Sequence, residues 1–287
     1  MAFTVACAQF APEKAEVDKN LDTIAEIVVQ AHGEGAELLV LPEASTSGYF
    51  LEGGVLEASL TRVQLVDGLR NRLRGKLSRP VDVVLGFYLN DEGNLYNAAA
   101  YLQIDPEGPQ VLGLYRKFFL PTYGVFDEER FVSRGRDLCV VDTRLGRIGV
   151  LVCEDVWHAI MPTLCAVRGA QLLAVPSASP ARGFGGPVIE NLDRYRRLFR
   201  SISEEHGLWC VNAQLVGFEG GKGFVGGSSV IDPTGRMCGE APIAEPHLLL
   251  ADVDLELVAL ARAQSPLLSD LQGVWESVRR LVAETEI

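Results

Sequence analysis

Between residues 81 and 152 short apolar runs follow one another closely: Val81–Tyr88, Ala98–Ile104, Val111–Tyr115, Leu138–Val141 and Ile148–Val152. Runs of this length, rich in β-branched and aromatic residues, read as strands, and turn signals such as Asp91-Glu92-Gly93 and Asp105-Pro106-Glu107-Gly108 separate them. Outside this stretch, runs at Thr4–Gln9, Leu38–Leu41, Leu172–Val175 and Trp209–Ala213 alternate with helical patterns, the first from about Lys14 to His32. The mixture is α/β. Strands outnumber helices between 81 and 152, which argues against a strictly alternating chain. It fits two sheets packed face to face with helices outside them.

Pro187–His206 reads as one long helix, with Leu192, Tyr195, Leu198, Phe199 and Ile202 on an apolar face. Its arginines at 194, 196, 197 and 200 are expected on a solvated face. With no repeat, low-complexity tract or long linker, the chain is read as a single domain over residues 1–287. That length, 48% hydrophobic, is enough for a large core. A formal charge of −12 repels phosphate backbones and anionic membranes, so neither nucleic acid nor membrane is expected as a partner. Six cysteines form no C-x-x-C pair and are too sparse for a disulfide framework, which fits a reducing compartment. The N-terminal apolar run has no basic segment before it, and no apolar stretch approaches the roughly 18 residues of a membrane span. A cytoplasmic location is expected.

Reactive side chains cluster at three strand ends. Leu38-Leu39-Val40-Leu41-Pro42-Glu43 delivers a carboxylate just past a buried run. Val111–Arg130 delivers Lys117 into a proline-broken loop with Phe118, Phe119, Tyr123 and Phe126, where an ammonium is partly desolvated and can stabilise developing negative charge. Gly149-Val150-Leu151-Val152-Cys153 ends a strand in a cysteine followed by Glu154, Asp155 and a helix start, a place that favours the thiolate. Taken singly, each has an ordinary alternative: a capping glutamate, a lysine snorkelling over apolar packing, an inert buried cysteine.

Taken together and in this order, the blocks LPEAS, YRKFFLP and VCEDVW resemble the nitrilase, or carbon–nitrogen hydrolase, superfamily. The resemblance extends to the Val5–Gln9 strand, Gly169-Ala170-Gln171-Leu172-Leu173, Ser177-Ala178-Ser179-Pro180 and Gly227-Ser228-Ser229-Val230-Ile231-Asp232-Pro233-Thr234-Gly235. Within the superfamily, KFFLPTYGVFDEER at Lys117–Arg130, Cys153-Glu154-Asp155 and the Ser-Pro at 179 and 180 are most similar to the glutaminase domain of glutamine-dependent NAD synthetases. This chain ends at Ile287, where those enzymes continue into an ATP-using domain, and is read as a stand-alone counterpart. Those enzymes tend to carry a basic residue several positions after Ser-Pro; here Phe184, Gly185 and Gly186 stand there, with Arg182 as a possible substitute.

The resemblance implies a four-layer αββα sandwich and covalent catalysis without metal or cofactor. Glu43 would be the base, Cys153 the nucleophile, and Lys117 with the Glu154 N–H the oxyanion cradle. Glu128 would position Lys117 and substrate, with Asp127 and Glu129 as rivals, while Tyr49, Tyr123, Trp157 and Ser179 are candidates for the pocket wall. Expected substrates are small amides, with nitriles, N-carbamoyl amines or acyl transfer as alternatives, and a non-catalytic binding or scaffold protein as the reading from another class. The family also implies a homodimer or higher oligomer, to which the apolar stripe in the tail, Ser265–Ile287, would contribute.

Other motifs carry less. Gly221-Lys222-Gly223-Phe224-Val225-Gly226 matches G-x-G-x-x-G but leads into a strand, so a flexible loop is expected rather than a dinucleotide site. Gly226-Gly227-Ser228-Ser229 suggests a serine nucleophile, yet its continuation looks like a strand and turn. His158 is five positions from Cys153, a spacing that points the two apart on a helix. Histidines 32, 158, 206 and 247 show no metal-ligand spacing.

Overall fold

The computed structural model describes residues 1–185 and 188–285. Along the chain run β1 (Ala2–Gln9), α1 (Val17–Gly33), β2 (Leu38–Val40), α2 (Val55–Ala58), α3 (Arg62–Leu73), β3 (Val81–Asp91), β4 (Asn94–Asp105) and β5 (Gly108–Arg116). Then come β6 (Cys139–Thr143), β7 (Gly146–Val150), α4 (Ile160–Val167), β8 (Leu172–Ser177), β9 (Phe184–Gly185), β10 (Val188–Ile189), α5 (Glu190–His206) and β11 (Trp209–Gln214). The chain continues through β12 (Val216–Glu219), β13 (Lys222–Val225), β14 (Ser229–Ile231), β15 (Met237–Glu240), β16 (His247–Asp254), α6 (Glu256–Gln264), α7 (Leu267–Gly273) and α8 (Trp275–Glu284). Two six-stranded sheets result, ordered β16-β1-β2-β3-β4-β5 and β15-β14-β11-β8-β7-β6, with the ribbons β9–β10 and β12–β13 beside them.

Period-two alternation assigns the strand residues to two cores. Ala6 and Ala8 of β1, Leu39 of β2, and Val83, Leu85 and Phe87 of β3 face the outer core under α1 and α3. Val5, Cys7, Leu38, Val40 and Val84 face the second sheet, among Ile148, Val150, Leu173, Val175 and Val211. Helix α1 sets Leu21, Ile24, Ala25, Val28 and Ala31 on one buried face at helical spacing. Its Asn20 fixes the chain below it, donating to the Glu13 and Thr46 carbonyls at 2.7 and 3.1 Å. On the other side Tyr195, Phe199 and Ile202 of α5 and Cys165 and Ala166 of α4 cover the second sheet. Each large apolar side chain so buried contributes roughly 1.5–3 kcal/mol. The expected helix–sheet–sheet–helix layering is therefore present.

From β16 to β5, neighbouring strands of the first sheet pair antiparallel, parallel, parallel, antiparallel, antiparallel. The second sheet, from β6 to β15, repeats that series. No repeat is visible in the sequence because strand direction leaves no trace in residue identity.

Two local readings are corrected. The helix expected from Pro187 begins at Glu190, and Pro187 lies outside the described residues. The glycine-rich 221–226 segment is an ordered hairpin: Lys222–Val225 pairs with Val216–Glu219.

Candidate active site

Glu43 sits on the turn after β2, and this turn is tightly specified. A Cβ at Gly86 of β3 would lie 2.4 Å from the Pro42 carbonyl oxygen and 2.6 Å from Glu43 Cα, so the close approach requires glycine. Ser45 locks the turn, its hydroxyl donating to Pro42 O at 2.6 Å and its N–H to Gly86 O at 2.8 Å. Glu43 is thereby fully buried with both oxygens engaged. Oε1 accepts from Lys117 Nζ and from Asn97 Nδ2, each at 2.7 Å, and Oε2 accepts from the Ala178 N–H at 2.9 Å.

Lys117 follows β5 and is fully buried, its N–H donating to Asn97 O at 2.8 Å and its carbonyl accepting from Gly135 N–H at 2.8 Å. Its Nζ also donates to Glu128 Oε1 at 2.7 Å. Burial alone would push this ammonium toward the neutral form, but Glu128 and Glu43 outweigh it and hold the pKa well above the ordinary lysine value. Glu128 is buried, while Asp127 and Glu129 are exposed, which separates it from its neighbours. The Tyr49 hydroxyl donates to Glu128 Oε1, and Asn97 Nδ2 approaches Oε2 at 3.4 Å. Burial raises the Glu128 pKa, opposed by Lys117 and reinforced by Glu43.

Cys153 occupies a left-handed backbone conformation, φ 47°, where the chain leaves the second sheet. Only 7% exposed, it has its Sγ 3.2 Å from the Tyr195 hydroxyl. The segment after it, Cys153–Trp157, is a short 3-10 turn rather than an α-helix. The expected bias toward thiolate is therefore corrected. Burial and the Glu43 charge push the thiol pKa well up, against weaker help from Lys117, Tyr195 and Ala178. The balance of these influences favours the protonated thiol over the thiolate.

Asp155 joins the lysine and cysteine segments. Its Oδ1 accepts from Phe119 N–H at 2.9 Å, and its Oδ2 accepts from Val152 N–H at 3.0 Å and the Tyr115 hydroxyl at 2.8 Å. Those donors lie two positions either side of Lys117 and immediately before Cys153. Burial raises the carboxyl pKa to about 6, even with these donors lowering it.

A cavity of about 720 Å³ opens beside the cysteine turn, lined by Tyr123, Glu154, Trp157, Arg182, Asn191 and Arg194 among others. The Tyr123 hydroxyl donates to Glu154 at 2.9 Å, and the Arg182 guanidinium lies over the Tyr123, Phe126 and Trp157 rings. Arg182 Nε is buried and has no hydrogen-bond partner among the described residues. Arg194 stands over Trp157 at 4.3 Å and lines the cavity with Arg197, so part of the basic run faces this cavity and not bulk solvent alone. A second cavity of about 280 Å³ is lined by Tyr49, Phe50, Phe126 and Glu128 among others. Cys153 is in the lining of neither cavity.

Of the expected pocket residues, Tyr123, Glu154 and Trp157 therefore border the larger cavity and Tyr49 the smaller. Ser179 is buried and its Oγ accepts from Asn191 Nδ2 at 2.9 Å, tying the β8 end to α5. His158 stacks on Phe119 at 3.6 Å, away from the sulfur. Ser228 donates to Gln9 Oε1 at 3.0 Å as part of the buried polar packing. Asn97, Tyr195, Asp155 and the Ala178 N–H were not singled out from the sequence. Among the described residues no group of three or more His, Cys, Asp or Glu side chains could hold a metal ion.

Two carboxylates, one ammonium and one thiol are thus buried together where strands from both sheets end. The chain belongs to the carbon–nitrogen hydrolase family, whose model matches residues 4–263. It is 33% identical over 255 residues to the glutamine-dependent NAD(+) synthetase of Thermotoga maritima, covering 88% of this chain and 42% of that protein. With the corresponding Acinetobacter baylyi enzyme it shares 28% identity over 281 residues, 96% of this chain and 49% of that protein. The chain thus spans about half, or less, of these relatives. Among solved structures, the NitN amidase of Nesterenkonia sp. AN1 superposes with TM-score 0.72 at 30% identity, covering 91% of this chain and 97% of that one. The glutamine-dependent NAD+ synthetase of Acinetobacter baumannii gives TM-score 0.78 at 27% identity, covering 90% and 47%. The chain is a carbon–nitrogen hydrolase enzyme with the fold of this family.

Proposed function

We propose that the chain hydrolyses the C–N bond of a small amide through a thioester on Cys153. The observation that carries this is the buried cluster in which Glu43 shares Oε1 between Lys117 and Asn97 and its charge acts on the Cys153 thiol, pushing the pKa up. Free cysteine and glutamate differ by about four pKa units, so complete prior deprotonation is costly and transfer must accompany attack. As the sulfur bonds to the amide carbon, its proton passes to Glu43. The Lys117 ammonium has three N–H groups and the carboxylates take two, leaving one for the oxyanion beside the Glu154 N–H. Protonated Glu43 then gives the proton to the departing nitrogen as the C–N bond breaks. Water attacks the thioester, losing a proton to Glu43; the C–S bond breaks, the acid leaves, and the sulfur recovers its proton.

The 720 Å³ cavity presents carboxylates at Glu154, Glu190 and Asp193 and guanidinium groups at Arg182, Arg194 and Arg197, a mixed polar lining that suits an acyl group with a polar end. The side chains named supply each charge and proton transfer in this scheme, and we read residues 1–287 as one domain that pairs with a second copy. Ammonia release should be measured across a panel of simple amides, ω-amides, carbamoyl amines and nitriles, with Cys153→Ala as control and intact-mass detection of the acyl-enzyme. Turnover of amides with a mass adduct on Cys153 is expected. Turnover of nitriles alone, or equal rates in the control, would replace this reading.

A further inference from the structure

We infer that Glu219 is a positioning residue for the proposed reaction, holding from the β12–β13 hairpin the segment that places Tyr49 against Glu128. This rests on the assignment of Lys117 and Glu128 to the reacting site. Glu219 is a buried carboxylate that no step of the reaction uses. Its Oε2 accepts from two successive N–H groups, Tyr49 at 2.8 Å and Phe50 at 2.9 Å. From the other side the Tyr88 hydroxyl donates to Tyr49 O at 2.8 Å, so the Tyr49 peptide is gripped at both polar atoms. Gly48 makes the approach possible: its φ is 79°, and a Cβ there would lie 3.1 Å from Glu219 Oε1.

The grip matters because of what Tyr49 touches. Its hydroxyl donates to the same Glu128 oxygen that accepts from Lys117 Nζ. A relay therefore runs from Glu219 through the Tyr49 backbone and hydroxyl to Glu128 and Lys117. Without the carboxylate, two buried N–H groups lose their acceptor and the segment shifts to find water. Glu128 then loses a donor and the lysine loses its fixed position. The hairpin itself touches the segment again where Lys222 lies 4.3 Å over the Phe50 ring.

The test is a double-mutant cycle of Glu219→Ala with Tyr49→Phe, read as kcat and KM and as the rate of Cys153 alkylation by iodoacetamide. Alkylation reports the site without any substrate, because the reactivity of the sulfur follows the balance between the Glu43 and Lys117 charges acting on it. If the wild type turns over no amide but alkylation follows the cycle, the functional reading fails and the positioning role stands. Each single variant is expected to lower kcat and slow alkylation by about 10- to 100-fold with little change in KM, as small misplacements in a site do. The double variant should stay within about threefold of the slower single one, since both cut one relay. Glu219→Gln keeps an acceptor oxygen for both N–H groups and should restore at least half the rate. Should Glu219→Ala not fold, Gly48→Ala presses on the same carboxylate and enters the cycle in its place. Additive losses, or a Gln variant as slow as Tyr49→Phe, overturn the inference.

Discussion

Replacing Lys117 with methionine keeps most of the side-chain volume and removes the charge between Glu43 and Glu128. The wild-type cluster is one ammonium with two carboxylates, Nζ lying 2.7 Å from each. Breaking such a buried arrangement costs about 3–5 kcal/mol. For a chain of this size that is a fall in Tm of roughly 5–8 °C near neutral pH. The loss should depend on pH. Burial already raises the Glu128 pKa and Glu43 raises it further, with Lys117 and the weaker Tyr49 hydrogen bond opposing; removing Lys117 leaves the raising influences opposed only by the Tyr49 hydroxyl. The folded variant then binds a proton that its unfolded chain releases. Its stability falls as pH rises through the raised folded pKa and returns as pH drops toward the unfolded value. The slope approaches about 1.4 kcal/mol per pH unit in that window. Calorimetry of both proteins between pH 5.5 and 8.5 measures it, and the gap in Tm should narrow at the acid end. A gap under about 2 °C, or one of equal size at both ends, refutes the charge argument. Amide turnover should fall by about 10²- to 10³-fold in the same variant.

Cys153→Ala should abolish turnover and leave thermal unfolding nearly unchanged, since little packing is lost; activity above about a tenth of the parent contradicts the nucleophile assignment. Glu43→Gln should be slower by at least about 10²-fold while still binding substrate. Its amide must also turn an N–H toward Lys117, Asn97 or Ala178, so some stability is lost; normal steady-state rates would remove Glu43 as the base. Asp155→Asn sets an N–H against Phe119 N–H or against Val152 N–H and the Tyr115 hydroxyl, and urea unfolding should show a loss of about 1–3 kcal/mol. A stable, fully active Asn variant would show that the bridge does not hold the site. In the tail, Leu268 is buried while Leu281 and Val282 are 59% and 65% exposed, a stripe that a second copy would cover. Light scattering should give a dimer for the intact chain and a monomer after truncation before Ser265; an unchanged dimer excludes the tail.

Much of the architecture was legible because strands and helices advertise themselves by period. The runs at Leu38–Leu41 and Ile148–Val152 are close to β2 and β7, and both lead directly to a reactive side chain. What stayed hidden depends on register and burial. Asn97 sits inside an alanine-rich strand and becomes significant only because β4 pairs with β3 and β5, bringing its amide to Glu43. Tyr195 looked like one more apolar-face residue of α5, and only the docking of that helix places its hydroxyl at the sulfur. Ala178 contributes a backbone N–H, for which residue identity carries no signal. Glu128 is separated from Asp127 and Glu129 by which of the three points inward. The pull of a helix terminus on Cys153 was overread, because the segment after it is a 3-10 turn and the burial that pushes the thiol pKa up is not visible in the sequence.

Glu43 and Lys117 leave strands of one sheet and Cys153 leaves a strand of the other, so in the proposed reaction the proton's path crosses the seam between two slabs. The spacing of base and nucleophile is then a thickness, set by how Leu38, Val40 and Val84 mesh with Val150, Leu173 and Val175 far from any substrate. Close-packed interiors transmit strain. A methylene added or removed in that filling would act as a shim, changing the reaction rate without altering a single polar contact.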